Sequence, residues 1–408
     1  MTRQGQSRSS PPSHVVMGAF LSALAVMLAV MVVRESTVAI AAQEAAPSNH
    51  WNKPDWAPTP SVPSDNPMSD AKVRLGRELF YDRQLSVDGT MSCGSCHQQA
   101  RAFTDGKRTH PGVTGVLGIR NAMTLTNVAY FSSYTWANPS LKTLEKQMEV
   151  PLFSDHPVEM GMMGHDQQLI ASLRKDSTYR VLFRAAFPGA DDPITMRNVT
   201  RAIACFERTL LSFNSPYDRY KHGEPDAISA SAKRGETLFF GEKLECYHCH
   251  GGINFTDNNM QQGQAYAEVG FHNTGLYNED GMGAYKSWDH GLRDVTGKDE
   301  DEGAFRTPTL RNIAVTAPYM HDGSITTLQD VIRKHYAVKG NAALGPNGPN
   351  PLRSEFIEGF DLNAGEVADL VAFLSSLTDE RFLTNTAFSD PHPLHKKHQS
   401  TEVRRANR

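Results

Sequence analysis

The sequence predicts a mostly α-helical protein with two similar halves, and three observations support this prediction. Apolar residues recur at helical spacing, most clearly in NAGEVADLVAFLSSL, where Asn363 can cap a helix and Glu366 stands three residues later. Strand-like alternation is sparse. An internal repeat is present, because LGRELFYDRQLSVDGTMSCGSCH matches RGETLFFGEKLECYHCH in outline. Gly and Pro are frequent between the helical segments, so we expect long loops.

The repeat consists of a helical segment followed shortly by a cysteine motif. Its matching positions pair Gly76 with Gly235, Leu79 with Leu238 and Phe80 with Phe239. Two further segments, LKTLEKQM and TLQDVIRKHY, also have helical spacing. We therefore predict two helical domains in tandem, at 69–222 and 223–385.

The N-terminal segment is typical of a targeting sequence. Arg3 and Arg8 precede an uncharged run over 15–33, and small residues at Ala39 and Ala41 follow it. We predict a signal peptide at 1–41, although the run is also long enough for a retained membrane anchor. In either case the body is exported, so we expect a periplasmic location. Contact with the membrane is expected only if the segment is retained.

The remaining composition bounds the protein class. The formal net charge is −4, and segment 1–41 holds three Arg and one Glu, so its removal makes the body more acidic by two charges. An acidic exported body gives no reason to expect nucleic acid. Residues 42–68 are predicted to be an extended lead-in, and 386–408 a basic tail whose last residues, from His392, lack helical periodicity.

Four of the five cysteines lie in two copies of Cys-x-x-Cys-His. The copies are Cys93, Cys96 and His97, and Cys246, Cys249 and His250. A cysteine pair alone suits zinc or a redox dithiol, but a histidine directly after both pairs indicates covalent attachment of two haem c groups. Cys205 is predicted to be a buried small hydrophobe. The predicted fold is therefore mostly α, with two cytochrome c-like haem domains in tandem and long loops.

With these motifs, LGRELFYD, AIACFERTLLS and TPTLRNIAVTAPYMHDGSITTL make the chain resemble the bacterial di-haem cytochrome c peroxidase/MauG family. The resemblance covers about residues 70–380. TWANPSL, FHNTGLYN and LECYHCHGG are closer still to the methanobactin-associated, MbnH-like subgroup. Members of that subgroup are paired with a secreted copper-binding protein.

The resemblance implies that the first haem binds peroxide and that the second stores or relays an electron. Peroxidases of the family place a distal histidine seven residues before the arginine of an RN pair, which is Arg120 here, and that position is Val113. His110 is close but out of register. We therefore expect an open coordination position on the first iron.

Three residues are expected to serve the peroxide chemistry by this resemblance. Glu159 matches the distal-pocket glutamate that moves a proton, and Gln147 matches the pocket glutamine of MauG-like members. Trp136 matches the tryptophan between the haems. A calcium ion between the haems would take Asn121 and the backbone carbonyls of Thr316 and Pro318.

The far ligand of the second iron is expected within TLQDVIRKHYAVKG, which contains no methionine. A gapless count from His321 reaches His335. Relatives with a tyrosine in this position favour Tyr336, with a one-residue insertion, and this is our prediction. A phenolate would favour the oxidised iron, whereas methionine raises the reduction potential.

One departure from the MauG pattern concerns the exit of oxidising equivalents. Leu244 stands where MauG has a tryptophan, so another aromatic residue must serve, with Tyr247 and Trp288 as candidates. The resemblance implies an enzyme that uses H₂O₂ to form a high-valent di-haem state and then oxidises a residue, expected to be Trp, of the copper-binding partner. The alternative is a cytochrome c peroxidase supplied with electrons by a small cytochrome or cupredoxin. A pure electron-transfer cytochrome would need both irons six-coordinate.

Overall fold

A computed structural model describes residues 51–340 and 346–392. The predicted signal peptide and most of the predicted tail lie outside these residues. Among the described helices, none is both long and apolar enough to cross a membrane.

The described chain is mostly helical, which confirms the predicted class. Its one two-stranded sheet pairs β1 (Phe271–Asn273) with β2 (Ala304–Arg306), antiparallel, with Phe271 opposite Arg306. The α-helices are α1 (Asp70–Tyr81), α2 (Cys93–Cys96), α3 (Leu144–Gln147), α4 (Glu149–Phe153), α5 (Asp166–Lys175), α6 (Ser177–Ala186), α7 (Met196–Arg208), α8 (Pro216–Lys221), α9 (Ala230–Phe239), α10 (Arg293–Thr296), α11 (Leu328–Asp330), α12 (Ala364–Ser375) and α13 (Glu380–Thr384).

The matched glycines of the repeat mark the two closest helix crossings. A Cβ added to Gly76 of α1 would lie 1.9 Å from the carbonyl oxygen of Ala202 in α7. A Cβ added to Gly235 of α9 would lie 2.0 Å from the carbonyl oxygen of Asp369 in α12. Any side chain would push these helices apart. Each crossing thus fixes the helix that leads into a Cys-x-x-Cys-His motif.

Two large apolar clusters form the interior. The first includes Phe80 of α1 and Phe206 of α7, and the second includes Phe239 of α9 and Phe373 of α12. Phe382 also belongs to the first cluster, so the end of the chain returns to the N-terminal half. The domain limits at 222 and 385 stay predictions.

Of the predicted helices, one is regular and capped as expected, and another is irregular. Asn363 caps α12 and Glu366 completes a capping box, as predicted. TLQDVIRKHY is helical but irregular: α11 is followed by a π-helix over Val331–His335 and a 3₁₀ turn over Tyr336–Val338.

The described part of the C-terminal segment packs against α1. The hydroxyl of Tyr81 donates to the carbonyl oxygen of Phe388 over 2.6 Å, and Arg77 Nε donates to that of Ser389 over 2.8 Å. The packed chain therefore continues past 385. Cys205 is fully buried in α7, as predicted.

Candidate functional site

The first Cys-x-x-Cys-His motif is a short helix followed by a histidine whose imidazole is oriented by a hydrogen bond. Ser92 and Ser95 form a capping box around α2, and both cysteines of α2 are free thiols. His97 Nδ1 lies 2.8 Å from the carbonyl oxygen of Phe103. A carbonyl only accepts, so Nδ1 carries the hydrogen and Nε2 keeps a free lone pair. Burial lowers the pKa of His97, which leaves the imidazole neutral and able to bind a metal.

The second motif repeats this arrangement. His250 Nδ1 donates to the carbonyl oxygen of Phe255 over 2.9 Å, and burial lowers the pKa of His250. Cys246 and Cys249 are also free thiols. The two predicted motifs therefore present the same donor set: two thiols and one neutral imidazole with its Nε2 available.

A cavity of about 490 Å³ opens beside the first motif. Cys93, Cys96 and His97 line it, and so do the three residues predicted for peroxide chemistry, Glu159, Gln147 and Trp136. These three come from separate parts of the chain, and the fold brings them to the walls of one cavity.

Glu159 is half-buried on a loop held by backbone contacts. Burial raises the pKa of Glu159, so the carboxyl retains its proton to a higher pH than an exposed glutamate. Its carbonyl oxygen accepts a hydrogen bond from the backbone N–H of Val113 over 2.8 Å. The neighbouring Gly112 packs so closely on Val158 that an added Cβ would lie 1.8 Å from its carbonyl oxygen.

Two buried polar side chains of the cavity wall were missed by sequence reasoning. Arg306 Nη1 and Glu207 Oε2 have no hydrogen-bond partner within the described residues. Burial lowers the pKa of Arg306 to about 10, so it stays cationic at neutral pH, and burial raises the pKa of Glu207 to about 8. A buried guanidinium in this wall fits the carboxylates of a haem. Glu207 lies within AIACFERTLLS, but no sequence signal marks Arg306.

Trp136 connects the cavity to the strand pair beside the second motif. Its indole Nε1–H donates to the carbonyl oxygen of Asn121 over 2.8 Å, and its own carbonyl accepts from Arg306 N over 2.7 Å. Arg306 lies in β2, and His272 lies in the partner strand β1. Hydrogen bonds with Asp257 and then Cys249 raise the pKa of His272 to about 10. Because Cys249 belongs to the second motif, this contact places the strand next to that motif.

On the far side of the second motif, His335 and Tyr336 have different surroundings. Burial raises the pKa of Tyr336, and the nearby sulfurs of Cys249 and Cys246 raise it further. His335 is fully buried, burial lowers its pKa to about 4, and the nearby His321 lowers this pKa further. Tyr336 therefore interacts electrostatically with the haem-attachment cysteines, whereas both ring nitrogens of His335 are buried without a hydrogen-bond partner within the described residues.

The π-helix explains how Tyr336 comes to this position. A π-helical turn holds one residue more than the α-helical turn it replaces, so it shifts every later side chain by one position. The turn over Val331–His335 ends directly before Tyr336. It is the local structure that a one-residue insertion before Tyr336 would produce.

The predicted calcium ligands lie in neighbouring segments. The backbone N–H of Asn121 donates to the carbonyl oxygen of His321 over 2.7 Å, and its side-chain Nδ2 donates to that of Lys107 over 2.8 Å. Thr316 and Pro318 lie a few residues before His321. These contacts bring the two segments together, and the ion itself stays a prediction.

The mostly helical chain carries two Cys-x-x-Cys-His turns with oriented imidazoles, and one of them lies beside a cavity with a protonatable carboxyl. These features define a c-type di-haem oxidoreductase. The comparisons with known proteins agree. Residues 70–226 match the model of the family described as di-haem cytochrome c peroxidase. MauG of Methylophilus methylotrophus is 34% identical over 333 residues, covering 81% of this chain and 88% of the relative. The chain belongs to the di-haem cytochrome c peroxidase/MauG family, whose members are haem enzymes.

Two further relatives represent the two kinds of protein in the family, the cytochrome c peroxidases and the MauG-like proteins. The cytochrome-c peroxidase IdrP1 of Pseudomonas sp. (strain SCT) is 35% identical over 350 residues, covering 82% of this chain and 88% of the relative. A crystal structure described as a MauG-like protein associated with microbial copper homeostasis is 47% identical, with a TM-score of 0.80. The match covers 84% of this chain and 99% of that chain.

Proposed function

We propose that the protein uses hydrogen peroxide to oxidise a side chain, expected to be Trp, of a secreted copper-binding partner in the periplasm. Membership of the peroxidase family indicates that hydrogen peroxide is the oxidant. The description of the 47% identical structure as associated with copper homeostasis supports the choice of partner. The apolar run at 15–33, as part of a signal peptide, supports export.

Two haem groups fit the two motifs and, when bound, would supply the peroxide-activating and electron-storing chemistry. His97 and His250 would hold the irons through Nε2, and Arg306 would pair with a haem carboxylate. Glu159 supplies the proton that the distal peroxide oxygen needs in order to leave as water, because burial raises the pKa of this carboxyl. Gln147 orients peroxide in the same cavity, and Trp136 passes electrons between the two centres. A calcium ion at Asn121, Thr316 and Pro318 would fix the segments around Trp136.

The observation that supports the proposal is the electrostatic interaction of Tyr336 with Cys246 and Cys249, directly after the π-helical turn over Val331–His335. A phenolate is a hard anionic ligand that stabilises the more oxidised iron. An enzyme with such a ligand can hold two oxidising equivalents until a slow, bulky protein substrate arrives. A methionine in this place would instead favour a centre that must be reduced before it reacts.

The second candidate is a peroxidase that takes electrons from a small cytochrome or cupredoxin, as the 35% identity to a cytochrome-c peroxidase suggests. One experiment separates the two. Peroxide is added to the fully oxidised enzyme with no reductant present, and the visible and near-infrared spectra are followed. The proposal expects a rapid spectral change that persists for minutes. No change without prior reduction would favour the peroxidase and overturn the proposal.

A further inference from the structure

We propose that Trp288 is the surface residue through which electrons from the partner protein enter, with Tyr277 as the buried step behind it. This inference rests on the proposed function, because it names the exit that the peroxide-oxidised enzyme uses. It also supplies an exit for oxidising equivalents in a chain that has Leu244 where MauG has its exit tryptophan.

The first observation is that one thin wall separates the haem cavity from a surface pocket. Gly118 and Ile119 line both the cavity beside the first motif and a second, open pocket of about 280 Å³. Trp288 and Tyr277 line the second pocket. The side chain of Trp288 is 64% exposed, so its indole can touch a docked protein.

The second observation is that Trp136 and Tyr277 pack against the same buried aromatic cluster. Trp136 packs against the buried cluster that contains Tyr285 and Phe305. The ring of Tyr285 lies 5.7 Å from that of Tyr277. The ammonium of Lys286 lies 4.7 Å from the Tyr277 ring and 6.0 Å from the Trp288 ring, so both rings surround one side chain at the pocket.

A short polar path fixes the position of Trp288 relative to Trp136. The indole of Trp136 is bonded to the carbonyl of Asn121, as described above. The adjacent Arg120 binds Asp289 through two hydrogen bonds of 2.6 and 3.0 Å, and Asp289 is the next residue after Trp288. The loop that carries Trp288 is therefore tied to the segment that contacts Trp136.

Proton acceptors accompany both redox steps. The Tyr277 hydroxyl donates to Asp322 Oδ2 over 2.5 Å, so loss of an electron from Tyr277 can be matched by transfer of its proton to that carboxylate. The exposed indole of Trp288 can release its N–H proton to water. In one cycle the partner loses two electrons and two protons in two successive steps. The peroxide takes up both and becomes two molecules of water.

The surroundings of Trp288 suit contact with a protein. Leu117 and Ile119 line the same pocket and are 60% and 39% exposed. Exposed apolar side chains next to an exposed tryptophan are typical of the centre of a protein-binding surface. The other candidate, Tyr247, donates its hydroxyl to Glu242, and no described aromatic chain connects it to Trp136.

The test uses the holoenzyme, excess peroxide, oxygen-labelled water and no partner. Without a partner, Trp288 should lose two electrons and two protons and add one molecule of water, a net gain of one oxygen atom that peptide mass spectrometry detects. We expect the label at Trp288 and little at the half-buried Trp51 and Trp56. Trp288→Phe should form the peroxide-oxidised enzyme at the wild-type rate and lose this label. Tyr277→Phe should lose most of it.

Three outcomes would overturn the inference. Label at Tyr247 with Trp288 unlabelled would move the exit there. Unlabelled oxygen at Trp288, present also in Glu159→Gln, would show oxidation by free peroxide. Full labelling of Trp288 in Tyr277→Phe would remove Tyr277 from the route. If the wild-type spectrum does not change on peroxide addition, the proposed function fails instead, and the two failures are thereby distinguished.

Discussion

The backbone N–H of Val113 donates a hydrogen bond to the carbonyl oxygen of Glu159 over 2.8 Å. Val113 stands where peroxidases of the family carry a distal histidine, so this bond joins the altered position to the residue expected to move the proton. The Val113 side chain lies next to Gly161, where an added Cβ would meet its Cγ2 at 3.0 Å. Gly112 and Glu159 line the cavity, so this backbone bond fixes the part of the wall that carries the carboxyl.

Glu159→Gln should retain both haems but form the peroxide-oxidised enzyme about 10²–10⁴ times more slowly, because the amide cannot transfer the proton. Stopped-flow absorbance after peroxide addition measures this rate. Glu149→Gln is the matched control, since Glu149 is exposed and pairs only with Lys146. A wild-type rate in Glu159→Gln would show that another group supplies the proton.

The resting enzyme should contain one high-spin and one low-spin ferric haem. The reason is that Tyr336 is the ligand we expect for the second iron, whereas Val113 leaves the first without the family's distal histidine. EPR spectroscopy distinguishes the two spin states. His110 also lines the cavity, and its Nδ1 donates to the carbonyl oxygen of Pro111 over 2.7 Å. His110→Ala should leave the high-spin signal unchanged, and two low-spin signals in the wild type would contradict the open position.

Tyr336→Phe should change the low-spin EPR signal and abolish the persistent peroxide-oxidised enzyme, because the anionic ligand is lost. His335→Gln is the paired control at the adjacent position. We expect its effect on the signal to be small, since Tyr336, and not His335, interacts with the haem-attachment cysteines. A change confined to His335→Gln would assign the ligand to His335.

Glu145→Ala should destabilise the protein by about 3–5 kcal/mol, because it leaves a buried guanidinium without its partner. Arg208 is only 2% exposed and binds both carboxylate oxygens of Glu145, at 2.8 and 2.9 Å. Adding Arg208→Met should recover part of the loss. Denaturant titration measures each variant, and Glu149→Ala, which removes an exposed ion pair, should cost less than about 1 kcal/mol.

Glu207→Gln should become more stable relative to the wild type as the pH rises from about 5 to 8. Burial raises the pKa of Glu207 from 4.5 to about 8. Between these values the folded protein holds a proton that the unfolded chain has lost, so rising pH lowers wild-type stability, by at most about 1.4 kcal/mol per unit. Glutamine removes this dependence. Parallel stability curves for the two proteins would show that Glu207 is ionised in the fold.

The sequence predicted those features that depend on local spacing. The two haem-attachment motifs, the helical class, the cap at Asn363 and the paired glycines all follow from residues close together in the chain. Arg306 and Glu207 could not be predicted as wall residues, because their importance comes from burial against distant segments. The sequence predicted only a one-residue insertion before Tyr336, inferred from relatives, and not the π-helix itself. The composition of Val331–His335 does not mark such a turn.

The packing of Phe382 against Phe103, with ring centroids 5.6 Å apart, has a consequence for the order of folding. Phe103 supplies the carbonyl that fixes the His97 imidazole, so this ligand is supported by a residue about 280 positions later in the chain. Phe382 follows Phe103 by 279 residues, so the N-terminal half cannot complete its core until this later segment is in place. A chain stopped before Phe382 would keep both attachment motifs yet lack the support that orients the first imidazole.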